Sequence, residues 1–193
     1  MRLQGRSVAH QSKTWRDEMR EIKFSLFLML LLASLSACDK KNASTGESAS
    51  ATGEKMVDFV TTQDSKPLAI DVALFDTPAA KEFMTTGKNP YIGNAEAIAK
   101  GKKVFQMYSC TQCHGPEAKG QVGPGLIGPD FKYPKDVTNK GMFETVWHGT
   151  NGGMGAKGIG LMDPTDPKNG ITPDELLKVI AWIRSMGKLT GNE

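Results

Sequence analysis

Apolar residues fall into one continuous run near the start of the chain and several stripes at helical spacing further on. The run, Phe24 to Leu35, follows Arg20, Glu21 and Lys23. It is too short to cross a bilayer, which needs roughly 20 residues, and it has the length of a secretory leader's apolar core. Asp39 to Lys55 is rich in Ser, Ala, Thr and Gly and has no apolar period, so it reads as a flexible tether. A short helix is predicted from Pro78, capped by Thr77, carrying Phe83 and Met84 and ending near Gly87. Asn89-Pro90-Tyr91 reads as a turn.

Three stronger helices follow. The first spans about Ala95 to Tyr108, with Ala97, Ile98, Gly101, Val104, Phe105 and Tyr108 on one stripe and Lys100, Lys102 and Lys103 mostly off it. Gly101 within it costs about 1 kcal/mol relative to Ala, a cost that close helix–helix contact would justify. The second spans about Lys140 to Trp147, with Met142, Phe143, Val146 and Trp147 on one side. The third opens on Thr172-Pro173-Asp174-Glu175, a cap, a first-position proline and a capping-box Glu. Leu176, Val179, Ile180, Ile183 and Met186 form its stripe, and Gly187 ends it. No run alternates as a strand. The loops Gly115 to Lys135 and Gly149 to Gly170 are too long for a compact domain unless they line something, and a large flat cofactor would supply the missing core.

Composition narrows the function. The chain has 193 residues and a formal charge of +3. Residues 1–37 hold six basic and three acidic side chains, which leaves 18 of each sign in the remainder. The basic excess therefore belongs to the leader and gives no support to nucleic-acid binding. Three cysteines, at 38, 110 and 113, are too few for a disulfide-built domain.

Cys110-Thr111-Gln112-Cys113-His114 is the C-x-x-C-H signal for covalent attachment of a c-type haem. Two thiols add across the vinyl groups of the ring, and the adjacent histidine lies beneath the iron. A zinc site would need further ligands, and only His148 is left among histidines and thiols beyond the leader. A thioredoxin-like pair would need a strand–helix setting that the pattern lacks. The second axial ligand must come from Met56, Met84, Met107, Met142, Met154, Met162, Met186 or His148. Met107 is too near the anchor, and Met142 and Met186 are accounted for as helix-face core. Met154 is favoured by its loop, Gly149-Thr150-Asn151-Gly152-Gly153-Met154-Gly155, which lets backbone approach a ligand. Met162, His148 and an open position remain as alternatives. A thioether ligand would favour electron transfer, whereas an open position would fit a haem peroxidase or gas sensor.

The order of helix, C-x-x-C-H, Gly-Pro-rich loop, Met-bearing loop and final helix resembles the class I cytochromes c. More narrowly the chain resembles the cytochrome c-L family, electron acceptors of periplasmic quinoprotein methanol dehydrogenases. The resemblance rests on Asp76-Thr77-Pro78-Ala79, Lys81-Glu82-Phe83 and Thr86-Gly87-Lys88-Asn89-Pro90-Tyr91 before the haem helix. After it come Gly123-Pro124-Gly125-Leu126, Tyr133-Pro134-Lys135, Gly141-Met142-Phe143-Glu144-Thr145, Gly152-Gly153-Met154-Gly155 and Ile180-Ala181-Trp182-Ile183-Arg184. It implies an all-α monohaem fold with an N-terminal extension, and one covalent haem c on Cys110 and Cys113. It also implies axial ligation by His114 and Met154, with the Pro124 carbonyl accepting a hydrogen bond from His114. The implied donor is a PQQ-dependent methanol dehydrogenase, and the implied acceptor is a small cytochrome c or an oxidase. A generic c-type carrier for another dehydrogenase is the alternative within the same class.

Leu35-Ser36-Ala37-Cys38 resembles the lipobox of bacterial lipoproteins, which implies lipidation of Cys38 and a periplasmic domain held at the membrane. Plain secretory cleavage with an incidental cysteine is the simpler alternative. The expected organisation is a signal peptide over 1–37, a tether over 38–55, a family-specific extension over 56–94 and a haem domain over 95–189.

Overall fold

The computed structural model describes residues 56–187, 189, 191 and 192. The leader, Cys38 and the tether lie outside them. Five α-helices carry the described part: α1 Pro78–Thr86, α2 Ala95–Met107, α3 Thr111–His114, α4 Asn139–His148 and α5 Pro173–Met186. Two short 3-10 turns, Val72–Leu74 and Pro134–Val137, complete them. Among the described residues there is no strand, only the isolated bridges Val60 with Pro67 and Gly158 with Ile171.

The caps of α1 and α5 are those the sequence predicts. Thr77 Oγ1 accepts from the Ala80 N–H at 3.1 Å, and Gly87 closes α1 in the left-handed region at φ 73°. In α5, Thr172 and Glu175 satisfy each other's backbone N–H groups as a capping box. Asn94 and Thr138 cap α2 and α4 by accepting from the Ala97 and Gly141 N–H groups. The short helix α3 and the two 3-10 turns carry no apolar period, and their type is set by tertiary packing.

The crossing of α2 and α5 frames one side of the central cavity. A Cβ at Gly101 would lie 1.9 Å from the Lys178 carbonyl oxygen, so only glycine lets the two backbones meet. Phe105 and Trp182 pack across the crossing with ring centres 4.7 Å apart. Leu176, Leu177, Val179, Ile180 and Ile183 are buried along α5. Met186, expected in this stripe, is 40% exposed, because it falls on the last turn, beyond the facing helix.

Residues 56–94 pack onto α4 and α5 and add a core of their own. Phe59 stacks near Phe75, Phe83 and Phe143, and Phe143 stacks on Trp147 at 5.3 Å. Polar ties reinforce this seam. The Val60 N–H donates to Glu144 Oε1 at 2.7 Å, and Glu144 is only 1% exposed. Lys135 and Lys140 each place Nζ 2.5 Å from the Glu144 carboxylate. At the other end, Tyr91 and Thr77 hydroxyls donate to Asp174 Oδ1 at 2.6 and 2.8 Å, while Lys178 pairs with the same carboxylate.

Candidate functional site

The site is assembled where α2 stops. Ser109 adopts φ 57°, and the Cys110 N–H donates back to the Phe105 carbonyl at 3.1 Å, turning the chain sharply into α3. That single helical turn carries Cys110, Cys113 and His114, with the His114 N–H bonded to the Cys110 carbonyl at 3.0 Å. Cys110 is partly buried, Cys113 exposed and His114 buried. Burial pushes the Cys110 thiol up from its ordinary range, and nearby Lys157 opposes this only in part.

The imidazole is oriented from behind. His114 Nδ1 lies 2.8 Å from the Pro124 carbonyl oxygen. A carbonyl only accepts, so Nδ1 carries the hydrogen and the Nε2 lone pair is free. The loop holding Pro124 is pinned by the Gly123 N–H, which donates to the Cys113 carbonyl at 2.8 Å. A Cβ at Gly123 would come within 3.1 Å of His114 Cε1, so glycine there leaves room for the ring.

The three residues open onto a cavity of about 410 Å³ whose wall is mainly apolar, including Phe105, Leu126, Met142 and Ile183. Met154 lines the same cavity and an adjoining space of about 60 Å³. Its loop leaves α4 through Gly149 at φ 78° and closes by a hydrogen bond from the Thr150 N–H to the Met154 carbonyl at 2.8 Å. Met162 and His148, the alternatives, line neither space. Met142 is buried in the core and also forms part of the cavity wall. Two thiols, an imidazole with its outer nitrogen free and a thioether thus border one greasy cavity, a donor set that fits covalent haem. Among the described residues no three His, Cys, Asp or Glu side chains gather as a metal cluster, so the zinc alternative has no support.

One wall residue was not legible as part of a site. Asp136 lines both spaces and is 7% exposed. Burial pushes its carboxyl up to about 6, against opposing pulls from Thr145, Lys135 and Arg184. Its neighbours Tyr133 to Lys135 carry only a family resemblance, and an Asp in a Gly- and Pro-rich stretch reads as solvated. Lys100, Lys102 and Lys103 are all exposed on the outer side of α2, and Lys100 pairs with Glu96.

Residues 98–187 match the cytochrome c family model. Cytochrome c-L of Methylorubrum extorquens is 42% identical over 112 residues, which is 58% of this chain and 51% of that protein, so the chain spans about half the length of that relative. Cytochrome cL of Hyphomicrobium denitrificans is a structural neighbour with TM-score 0.59 and 38% identity, over 69% of this chain and 76% of that one. Cytochrome CL of Methylophaga aminisulfidivorans MPT aligns with TM-score 0.57 and 34% identity, over 67% of this chain and 79% of that one. A likeness of 34% and 38% identity over more than three-quarters of the length of these structures places the chain in the cytochrome c-L family, among the class I cytochromes c.

Proposed function

We propose that this chain is a one-electron carrier holding a single haem c, reduced by a quinoprotein (PQQ) methanol dehydrogenase and oxidised by a small cytochrome c or an oxidase. The observation that carries the reading is the His114–Pro124 hydrogen bond, which fixes the ring of a histidine lining the cavity that Cys110, Cys113 and Met154 also border. The bound haem supplies an Fe(III)/Fe(II) couple. In this reading Cys110 and Cys113 would hold the ring by thioethers, and His114 and Met154 would ligate the iron. The Pro124 carbonyl fixes the imidazole tautomer and the ring orientation. The apolar wall excludes water, which lowers the rearrangement that accompanies each electron. The chain is placed in the periplasm, tethered over 38–55, with Cys38 as the lipid attachment. Residues 56–94 act as the extension and 95–189 as the haem domain, and nucleic acid has no part.

The donor assignment is tested by stopped-flow mixing of the oxidised protein with quinoprotein methanol dehydrogenase and methanol. Fast, saturable haem reduction is expected. No reduction of a chemically reducible, six-coordinate protein would leave a carrier for another dehydrogenase. Ready binding of CO by the ferrous protein at neutral pH would instead favour a haem enzyme or gas sensor with an open position.

A further inference from the structure

Asp136 is a buried acid on the cavity wall that electron carriage, as described above, does not use. Its Oδ1 accepts a hydrogen bond from Thr145 Oγ1 at 2.7 Å. Thr145 Oγ1 lies 2.9 Å from Thr62 Oγ1, and since Thr145 donates to Asp136, its oxygen accepts from Thr62. Thr62 is partly exposed, on the segment ahead of α1. Two hydroxyls therefore lead from solvent at the extension to a carboxyl at the cavity.

Lys135 and Glu144, beside Asp136, are engaged with other groups, while Arg184 keeps two buried nitrogens, Nε and Nη1, without a partner. Lys135, on the same 3-10 turn, gives Nζ to Glu144 and to the Val60 carbonyl. Glu144, on α4, is closed by Lys135 and Lys140. Arg184, on α5, donates Nη2 to the backbone carbonyls of Asp136 and Val137 at 2.8 and 3.0 Å, not to the carboxylate. Lys132 and His114 line the adjoining space, and the extension contributes the Thr62 hydroxyl. Among the described residues no ion pair holds the Asp136 charge. An acid kept near neutrality in this way responds to any charge added in the cavity beside it, where water screens poorly.

We infer that Asp136 takes up one proton from solvent, through Thr62 and Thr145, as the cavity gains an electron, and gives it back when the electron leaves. The inference rests on the haem reading, not on the identity of the donor. On reduction, one electron arrives from the donor and one proton from bulk water. The Thr145 proton moves to Asp136, the Thr62 proton replaces it, and solvent reprotonates Thr62. Oxidation reverses every transfer, so charge and atoms balance in each direction.

The test is a spectroelectrochemical titration of the haem-loaded protein between roughly pH 4.5 and 8.5. The constant for reduction should fall as pH rises, by at most about tenfold per unit, in a window bracketing pH 6. Asp136→Asn should flatten that window, and Asp136→Glu should restore a slope at a displaced pH. Thr145→Val should keep a slope but slow proton uptake after flash photoreduction, read with an indicator dye, by about tenfold or more. A wild-type slope in Asp136→Asn overturns the inference, and wild-type uptake in Thr145→Val overturns the route. Should Asp136→Asn fail to fold, the reduced-minus-oxidised infrared spectrum of the wild type near pH 6 decides. A protonated carboxyl stretch must grow on reduction, and its absence overturns the inference. A chain that matures without a Soret band overturns the haem reading itself, an outcome distinct from a flat titration.

Discussion

At the scale of single residues, the site depends on which atoms are backbone and which are side chain. The Pro124 carbonyl, not its ring, faces His114. Pro124→Ala keeps the carbonyl, so the reduction potential should stay close to wild type. Gly123→Ala sets a methyl 3.1 Å from His114 Cε1 and should displace the imidazole, shifting both the potential and the His114 ring resonances by NMR. Met154→Ala should abolish the methionine–iron charge-transfer band of the oxidised protein and admit CO to the reduced one; an unchanged spectrum would move the ligand elsewhere. Asp136 gives a prediction of stability with a worked sign. Its carboxyl sits near 6, above its ordinary 3.8, so between those values the folded state binds more protons than the unfolded one. The favourable contribution, full below about pH 4, is lost as pH rises through about 6. Asp136→Asn should therefore raise urea stability at pH 7.5 by on the order of 2 kcal/mol and change it little at pH 4. The attachment residues and His114 were legible because their spacing carries the chemistry. Asp136 was not, since its burial depends on how its 3-10 turn packs against α4 and on Arg184 of α5, 48 residues further on.

At the scale of elements, caps made the longer helices readable and packing made the rest. Thr77, Pro78, Thr172, Pro173 and Glu175 mark helix starts through local hydrogen bonds, so sequence alone locates them to within a residue or two. The short α3 has no stripe and no side-chain cap; the turn is closed by backbone bonds from the Cys110 N–H to the Phe105 carbonyl and from the His114 N–H to the Cys110 carbonyl. Gly101 joins the two kinds of reading. Its predicted cost in an isolated helix is real, and the 1.9 Å approach to the Lys178 carbonyl is the reason for it. Gly101→Ala gains about 1 kcal/mol of helix propensity, yet it forces backbone against methyl. The net should be a loss of about 2 kcal/mol or more in urea unfolding, because carbonyl oxygen cannot move aside as a flexible side chain can. A net gain would mean that α2 and α5 stand further apart.

At the scale of the whole molecule, the question is how residues 56–94 become part of the haem domain. Their sequence carried family motifs but only one clear element, α1, so their seating was not legible before the aromatic cluster was seen. Phe59, Phe75 and Phe83 surround Phe143, which is fully buried, and Phe143 in turn stacks on Trp147. The extension is therefore a wall of the fold. Glu144 is the polar hub of this wall, taking the Val60 N–H and two lysines on a carboxylate with almost no solvent exposure. Removing the negative charge there leaves Lys135 and Lys140 facing each other without a counter-charge, and breaking one partner of a buried ionic cluster costs roughly 3–5 kcal/mol. Lys135 and Lys140 retain part of their hydration, at 27% and 30% side-chain exposure, so the lower end of that range applies. Glu144→Gln should accordingly lower stability by about 3 kcal/mol, with faster hydrogen exchange at the Val60 amide than at the amides of α2 and α5. The Soret spectrum should be retained, because Cys110, Cys113, His114 and Met154 lie on other elements. Uniformly faster exchange throughout would mean that the extension and the haem domain unfold as one unit, with Glu144 holding the whole molecule and not only the seam.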